Sequence, residues 1–246
     1  MTTSPASPAW TAEFRRRARR FFVLKLLGTT VWTWLFFIAY FHLLRFPAHR
    51  VTQMPVTALD LWVPFQPQWL MAYVSLWLYV GIAPGLQRRF VELLAYGLWA
   101  GALLLTGLTL FYFWPTQIPP GTFDPKGFPG FELMKGVDAA GNACPSMHVA
   151  IAIFSAIWIE CLLRWIGAPR WTRVLNAAWF AAIVYSTLGL KQHVLIDVIA
   201  GTLLGGAFAA ASLRWRPGRE TARRAAIIPW RVRQARLQEE HANLER

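Results

Sequence analysis

Residues 186–197 have the sequence Ser-Thr-Leu-Gly-Leu-Lys-Gln-His-Val-Leu-Ile-Asp, which combines apolar residues with three ionisable side chains. It places a cation (Lys191), an imidazole (His193) and a carboxylate (Asp197) at the edge of an otherwise apolar segment, where ionisable groups are costly. His193 and Asp197 are four residues apart, so on a helix they would lie on one face and the carboxylate could hold one ring nitrogen. Such a pair prepares a histidine to act as a nucleophile or a base.

The composition predicts an integral membrane protein. Apolar residues make up 56% of the 246 residues and charged residues only 15%, and the mean hydropathy is +0.36. This is more apolar than an ordinary soluble domain of the same length. We therefore expect an all-α polytopic protein, with transmembrane helices packed in a bundle.

Six apolar runs are each long enough to cross a bilayer. The predicted organisation is a basic N-terminal segment (1–20), a transmembrane catalytic domain (21–213) with a long outer loop (115–144), and a basic tail (214–246). The pair Arg19-Arg20 before the first run resembles a twin-arginine export signal. However, no small-residue cleavage site follows, so we expect the first run to be retained as a helix. The predicted spans are about 21–44, 69–86, 90–114, 145–165, 174–190 and 192–213.

The distribution of the basic residues predicts the orientation. With both termini in the cytoplasm, 20 of the 25 Lys and Arg residues fall on the cytoplasmic side, as the positive-inside rule requires. The formal charge of +13 is then a consequence of topology, and no nucleic-acid partner is expected. We predict a multi-pass protein of the inner (cytoplasmic) membrane, with its active site on the outer side.

This topology brings a second group of polar residues to the same outer side. The fourth predicted span opens with Cys-Pro-Ser-Met-His at residues 144–148. Ser146, His148 and the free N–H groups of a helix N-terminus would face His193, and such a terminus suits a phosphate. Together with Lys191 and Asp197, these groups are typical of phosphoryl transfer by positioning and charge stabilisation, without a metal or other cofactor.

At these residues the chain resembles the type 2 phosphatidic acid phosphatase superfamily. Pro145-Ser146-Met147-His148 resembles its second motif, Pro-Ser-x-His, and residues 186–197 resemble its third, Ser-Arg-x5-His-x3-Asp. The resemblance implies that His193 attacks phosphorus to give a phosphohistidine, that Asp197 orients it, and that His148 protonates the leaving oxygen. The catalytic candidates are therefore His193, His148 and Asp197, and the candidate phosphate ligands are Ser146, Lys191, Ser186 and Asn142.

Two departures from the family pattern affect the expected substrate. The first motif, Lys-x6-Arg-Pro, is absent, because neither Lys126 nor Lys135 is followed by Arg-Pro at that spacing. Thr187 stands where the third motif has its phosphate-binding Arg, and Lys191 would replace that charge only as a point cation. The sequences around 114–120 and 142–148 look closer to the inositol phosphorylceramide synthase branch. The substrate is thus expected to be a phospholipid or polyprenyl-type phosphate, with water or another lipid as acceptor.

Two other classes fit parts of the pattern less well. A metal-dependent hydrolase could use His148, His193 and Asp197 as ligands, but the sequence lacks a His-x-x-x-His pair or an adjacent Glu base. A transporter would be expected to show repeated halves with paired broken helices, which are not evident. Cys144 and Cys161 would lie roughly 25 Å apart along one helix, so no disulfide is predicted, and Cys144 is a weak candidate nucleophile.

Overall fold

The computed structural model describes residues 9–119 and 142–217, and these ranges are mostly helical. A short 3-10 helix, Pro67–Trp69, precedes α4. Two-residue strands, β1 (Thr52–Gln53) and β2 (Thr116–Gln117), form a parallel pair that the all-α prediction did not include. The helices are α1 (Ala9–Arg19), α2 (Phe22–Arg45), α3 (Ala58–Trp62), α4 (Leu70–Val74), α5 (Leu76–Gly85), α6 (Phe90–Phe113), α7 (Met147–Trp165), α8 (Arg170–Gly189) and α9 (Leu195–Arg214).

Four helices have the length and apolar composition needed to cross a membrane. They are α2, α6, α7 and α9, and they coincide with the first, third, fourth and sixth predicted spans. The second predicted span is divided at Ser75 into α4 and α5, which together are shorter than the roughly 20 residues that a span needs. The crossing by this segment and by α8 stays a prediction, as does the cytoplasmic location of both termini. The tail beyond residue 217 and residues 120–141 of the outer loop, including Lys126 and Lys135, lie outside the described ranges.

The fourth long helix begins two residues later than predicted. Ser146 is the extended N-cap of α7, and its hydroxyl oxygen accepts a hydrogen bond from the Val149 N–H at 3.3 Å. Pro145 is therefore not the first helical residue. The reason is that Ser can satisfy a free N–H at the helix start through its side chain, whereas Pro cannot.

The sixth helix also begins later, at Leu195, so His193 precedes it. The expectation that His193 and Asp197 share a helical face is wrong. The amides of Gln192 and His193 both donate to the Thr187 carbonyl, at 3.0 and 3.2 Å, and the chain reverses at Lys191 with a φ of +57°. These bonds close the end of α8 and place His193 in the connecting turn.

The core of the protein is built around α7, which packs against α5, α6, α8 and α9. Val149, Ala150 and Phe154 are completely buried in it. A buried polar link fixes α8 against this core: the Tyr79 hydroxyl donates to Asn176 Oδ1 at 2.7 Å, and Asn176 Nδ2 donates to the Ala156 carbonyl at 3.0 Å. Because buried polar groups are costly without partners, this network specifies how the helices align.

Candidate active site

The two candidate catalytic histidines line one cavity. It has a volume of about 300 Å³ and lies between α2, the α4–α5 segment and the first turn of α7. Both His148 and His193 border it, although they are 45 positions apart in the chain. Most of the remaining wall is apolar and aromatic, and includes Phe36, Phe37 and Trp77. The structure therefore brings both imidazoles to the same largely water-excluding space.

The side chain of His193 lies beside that of Asp197. Its Nδ1 lies 3.5 Å from Asp197 Oδ2, and both side chains are buried. The same carboxylate oxygen accepts the Val194 N–H at 3.0 Å, so Asp197 folds back over the start of its own helix. This contact puts a negative charge beside Nδ1 and leaves Nε2 on the far edge of the ring.

The first turns of α7 and α9 are joined directly, which fixes the distance between the two motifs. The Ser146 N–H donates to the Asp197 carbonyl at 3.0 Å. A Cβ on Gly201 would lie 2.4 Å from the Ser146 carbonyl oxygen, and one on Gly205 would lie 2.0 Å from that of Ala150. Glycine at both positions thus allows the two helix backbones to touch, as small residues do between membrane helices.

His148 is held by aromatic packing. Its ring stacks on Tyr73 with centroids 4.0 Å apart and planes 16° apart, and Trp77 contacts its edge. Its Nε2 is buried and has no hydrogen-bond partner among the described residues. A buried polar atom without a partner is unusual and calls for a ligand or water.

The four predicted phosphate ligands are placed differently from one another. Asn142 borders the cavity, and its Nδ2 donates to the Tyr40 carbonyl at 3.0 Å, which leaves a buried Oδ1 unpartnered within the described residues. Ser146 caps α7 beside Asp197. Ser186 is fully buried and donates to the Ile183 carbonyl at 2.6 Å. Thus Asn142 reaches the cavity, whereas the Ser186 hydroxyl is turned to its own helix.

Lys191, the fourth, contacts a segment far away in the sequence. Its Nζ donates to the Asp60 carbonyl at 2.6 Å and also to the Val63 carbonyl. Both carbonyls lie at the C-terminal end of the short helix α3, where carbonyl groups lack N–H partners within the helix. Burial lowers the pKa of the Lys191 ammonium, and the neighbouring Asp60 acts in the opposite direction. In this structure the cation therefore ties α3 to the turn that carries His193.

Asp60, which belongs to none of the motifs described above, completes this attachment. Its Oδ1 accepts the N–H of Leu195, the first residue of α9, at 2.7 Å. Its Oδ2 accepts the Thr57 N–H and hydroxyl, each at 2.7 Å. The available signal was a capping-box pattern, Thr57-x-x-Asp60, but nothing local could show that the carboxylate also caps a helix 135 residues away.

Thr187 stands at the position where the family motif has an Arg. It is completely buried, and its hydroxyl donates to the Val184 carbonyl at 2.7 Å. The Thr187 carbonyl accepts hydrogen bonds from the backbone N–H groups of Gln192 and His193 at the end of α8. Among the described residues that line the cavity there is no Lys or Arg. The described lining of the cavity therefore contains two imidazoles but no Lys or Arg cation.

Cys144 is adjacent to the site but buried. Burial, followed by the charge of the Asp197 carboxylate, raises the pKa of its thiol to about 12. A thiol in this state is a poor nucleophile. Cys144 and Cys161 are both free in the structure. Within the described ranges, no group of three or more His, Cys, Asp and Glu residues is arranged to hold a metal ion.

Comparisons with known proteins agree with the motifs. A relative, the lipid A 4'-phosphatase of Bacteroides thetaiotaomicron, is 31% identical over 74 residues, which are 30% of this chain and 31% of the relative. The chain thus matches about a third of that relative's length. No solved structure matches the chain. The inositol phosphorylceramide synthase-like branch receives no support from these matches and stays a prediction. Residues 111–220, which contain every candidate site residue, match the PAP2 superfamily, and this match supports assigning the chain to that superfamily.

Proposed function

We propose that this protein is a membrane lipid phosphatase that removes a phosphoryl group through a phosphohistidine on His193. The observation that carries the proposal is the shared cavity, in which His148 and the Asp197-paired His193 meet a mostly apolar wall. The PAP2 match and the lipid A 4'-phosphatase relative support the same chemistry.

The shape of the apolar wall favours a lipid substrate. A second cavity, of about 250 Å³, lies between α2 and α6 and shares four wall residues with the first. From Tyr40, level with the histidines, to Lys25 at the far end, α2 rises about 22 Å. A hydrocarbon chain could lie along this path while its phosphate stays at the histidines. The shared wall residues are Thr33, Val80, Leu104 and Ile151.

In the first step, Nε2 of His193 attacks phosphorus while the bond from phosphorus to the lipid oxygen breaks. His148, in its protonated form, gives its proton to the departing oxygen and becomes neutral. Asp197 lies beside Nδ1 and stabilises the charge that develops on the His193 ring. The products of this step are the free lipid alcohol and a phosphohistidine.

In the second step, neutral His148 takes a proton from water as the water oxygen attacks phosphorus. The bond from phosphorus to Nε2 breaks, phosphate leaves, and His148 is again protonated for the next cycle. His148 is therefore required in both steps, as the acid in the first and as the base in the second. Met147 and His148, the first two residues of α7, line the cavity, and we infer that their backbone N–H groups bind the phosphoryl oxygens.

A second candidate is transfer of the phosphoryl or phospho-headgroup to an alcohol. It is favoured by Asn142 Oδ1, which is buried, unpartnered among the described residues and located in a residue that borders the cavity. An amide oxygen accepts hydrogen bonds, so it suits the hydroxyl of an acceptor better than it suits a phosphate oxygen. In either case we place the reaction at the outer face of the cytoplasmic membrane, on the basis of the Lys and Arg distribution.

The test is a turnover assay on detergent-purified full-length protein with a panel of lipid phosphate monoesters and phosphodiester lipids. Inorganic phosphate and new lipids are followed together. His193→Ala and His148→Ala are expected to abolish turnover. His49→Ala is the matched control, because its ring packs against Phe113 and it does not border the cavity. Rapid quenching of the wild-type protein with a labelled monoester should reveal an acid-labile phosphoprotein that His193→Ala lacks.

Release of phosphate from a monoester, with no acceptor present, supports the phosphatase. A new lipid formed from a diester, with little free phosphate, would instead support the transferase. Wild-type turnover by both histidine variants would exclude the proposed chemistry altogether.

A further inference from the structure

A third cavity, with a polar lining, lies at the opposite end of the helix bundle from the histidines. It has a volume of about 310 Å³ and is formed where α1, the α5–α6 turn and the C-terminal ends of α7 and α9 meet. From His148 to Trp165, the last residue of α7, the helix rises about 25 Å. This cavity is therefore separate from the candidate active site.

The walls of this cavity are rich in arginine. Five arginines face one glutamate, and the carboxylate of that glutamate, Glu92, already accepts the backbone N–H groups of Arg88 and Arg89 at 3.3 and 3.2 Å. A second carboxylate, Glu13, pairs with Arg17 at 2.7 Å. The lining is left with a clear excess of positive charge. The five arginines are Arg17, Arg20, Arg88, Arg89 and Arg216.

Three of these guanidinium groups are not neutralised. Within residues 9–119 and 142–217, Arg20, Arg88 and Arg89 form no salt bridge. They come from two separate parts of the chain, the end of α1 and the start of α6, yet line the same space. All three side chains are exposed, and arginine is the side chain best suited to bind phosphate oxygens.

The rest of the cavity wall is partly apolar and includes two tryptophan side chains with defined contacts. The Arg216 guanidinium lies 3.6 Å above the Trp165 ring, and the Trp158 indole N–H donates to the Ser212 hydroxyl at 2.8 Å. Next to Arg88 and Arg89, the exposed side chains of Phe90, Val91 and Leu94 continue along α6, a helix that can span a membrane. An anionic headgroup in the cavity would thus have an apolar surface beside it for its chains.

From this arrangement we propose that the arginine-lined cavity binds the phosphate of an anionic phospholipid of the surrounding membrane. Basic pockets between membrane helices bind such headgroups when they lie on the leaflet that carries anionic lipid. The excess of positive charge in the lining favours an anionic ligand. The apolar face of α6 beside the cavity favours a lipid over a free phosphate ion. The site would anchor α1 and the α5–α6 turn to the bilayer surface.

The experiment compares two triple variants that remove the same number of charges. One is Arg20→Gln/Arg88→Gln/Arg89→Gln, in the cavity. The other is Arg15→Gln/Arg19→Gln/Arg170→Gln, at exposed positions of α1 and α8 that do not line it. Binding of phosphatidylglycerol and of phosphatidylcholine to the detergent-purified full-length chain is measured by native mass spectrometry. Equal elution volume in size-exclusion chromatography shows that each variant is folded.

We expect the wild-type chain to retain phosphatidylglycerol in preference to phosphatidylcholine. The cavity variant should weaken that binding by roughly tenfold or more, and the surface variant by roughly threefold or less. An equal loss in both variants would overturn the proposal, because it would show attraction by net charge alone. It would also be overturned if inorganic phosphate, at the same phosphorus concentration, displaced the lipid completely, since the site would then recognise a free anion. If the cavity variant fails to fold, the single variant Arg88→Gln against Arg19→Gln gives the same comparison.

Discussion

Lys191 and Asp60 are 131 residues apart in the sequence, yet the Lys191 ammonium donates a 2.6 Å hydrogen bond to the Asp60 backbone carbonyl. The Asp60 carboxylate in turn accepts the N–H of Leu195 at 2.7 Å. The turn that carries His193 is therefore held from both sides by one residue of an interhelical segment. A third bond, from the Gln66 N–H to the Gly189 carbonyl at 2.8 Å, attaches the same segment to the end of α8.

Asp60→Ala is expected to lower both stability and turnover. It removes three hydrogen bonds to a buried carboxylate, each worth about 1.5–3 kcal/mol when a charged group is involved, and it frees the start of α9. Asp60→Asn should fall between Asp60→Ala and the wild type, because its amide oxygen can still accept the Leu195 N–H. Thermal unfolding and kcat, measured on the same preparations, check this prediction.

Glu92→Ala is the control for Asp60. Its carboxylate also accepts two backbone N–H groups at a helix start, but at the end of the bundle away from the histidines. It should lower the unfolding temperature and leave kcat unchanged in the remaining folded protein. Equal effects of both variants on kcat would show that Asp60 has only a general structural role.

Lys191→Gly separates two roles for the ammonium group. Glycine keeps the positive φ of +57° at low cost, so the main change is the loss of the cation. Because the ammonium binds two carbonyls at the end of α3, we expect a lower unfolding temperature and a lower kcat, with KM for the lipid phosphate changed little. Lys191→Arg should restore part of both. A large rise in KM with normal stability would instead show that Lys191 binds the substrate phosphate directly.

Gly205→Ala should separate α7 from α9. The added methyl group would lie 2.0 Å from the Ala150 carbonyl oxygen, which is backbone and has little freedom to move. Overpacking of this kind costs about 1–3 kcal/mol, and here it also moves Asp197 relative to Ser146. Gly206→Ala is the matched control, because nothing lies within 4 Å of its added Cβ. Unfolding temperature and kcat should fall only for Gly205→Ala; equal behaviour of the two variants contradicts the packing described here.

Asp197→Asn should leave the fold intact and slow the reaction. The amide oxygen can still accept the Val194 N–H, which the carboxylate accepts at 3.0 Å, so the helix start is preserved. The negative charge beside Nδ1 of His193 is lost, and we expect kcat to fall by about a hundredfold to ten-thousandfold. Far-UV circular dichroism and kcat check the two parts separately. Normal turnover by a folded variant would remove Asp197 from the proposed mechanism.

Cys144 should resist alkylation in the folded protein. Its pKa of about 12 means that at pH 8 roughly one thiol in ten thousand is ionised, and the side chain is buried. Iodoacetamide at pH 8, followed by peptide mass analysis, should modify Cys144 only after denaturation. The reactive fraction should rise steeply as the pH approaches 12. Rapid labelling of the native protein at pH 8 would contradict this account and reopen Cys144 as a nucleophile.

The sequence by itself determined the features that depend on composition and on short spacing. Long apolar runs must be helical in a membrane because every backbone polar group needs a partner within its own segment. Four of the six runs form helices that are long and apolar enough to cross a membrane. The Pro-Ser-x-His and His-x3-Asp patterns likewise predicted His148, His193 and Asp197 as candidate catalytic residues. These patterns are local, so a local analysis finds them.

Only the tertiary structure decided how these residues meet. Helix starts depend on which groups satisfy the free N–H groups, and at α9 these include Asp60, which no local pattern connects to Leu195. The common cavity of His148 and His193 depends on the close approach of α7 and α9 at Gly201 and Gly205. The partners of Lys191 were also decided by the tertiary structure. Its position in the sequence predicted a phosphate ligand, and in the structure its ammonium group donates hydrogen bonds to two carbonyls of the α3 segment. Contacts between distant segments follow from packing, which is a property of the whole chain.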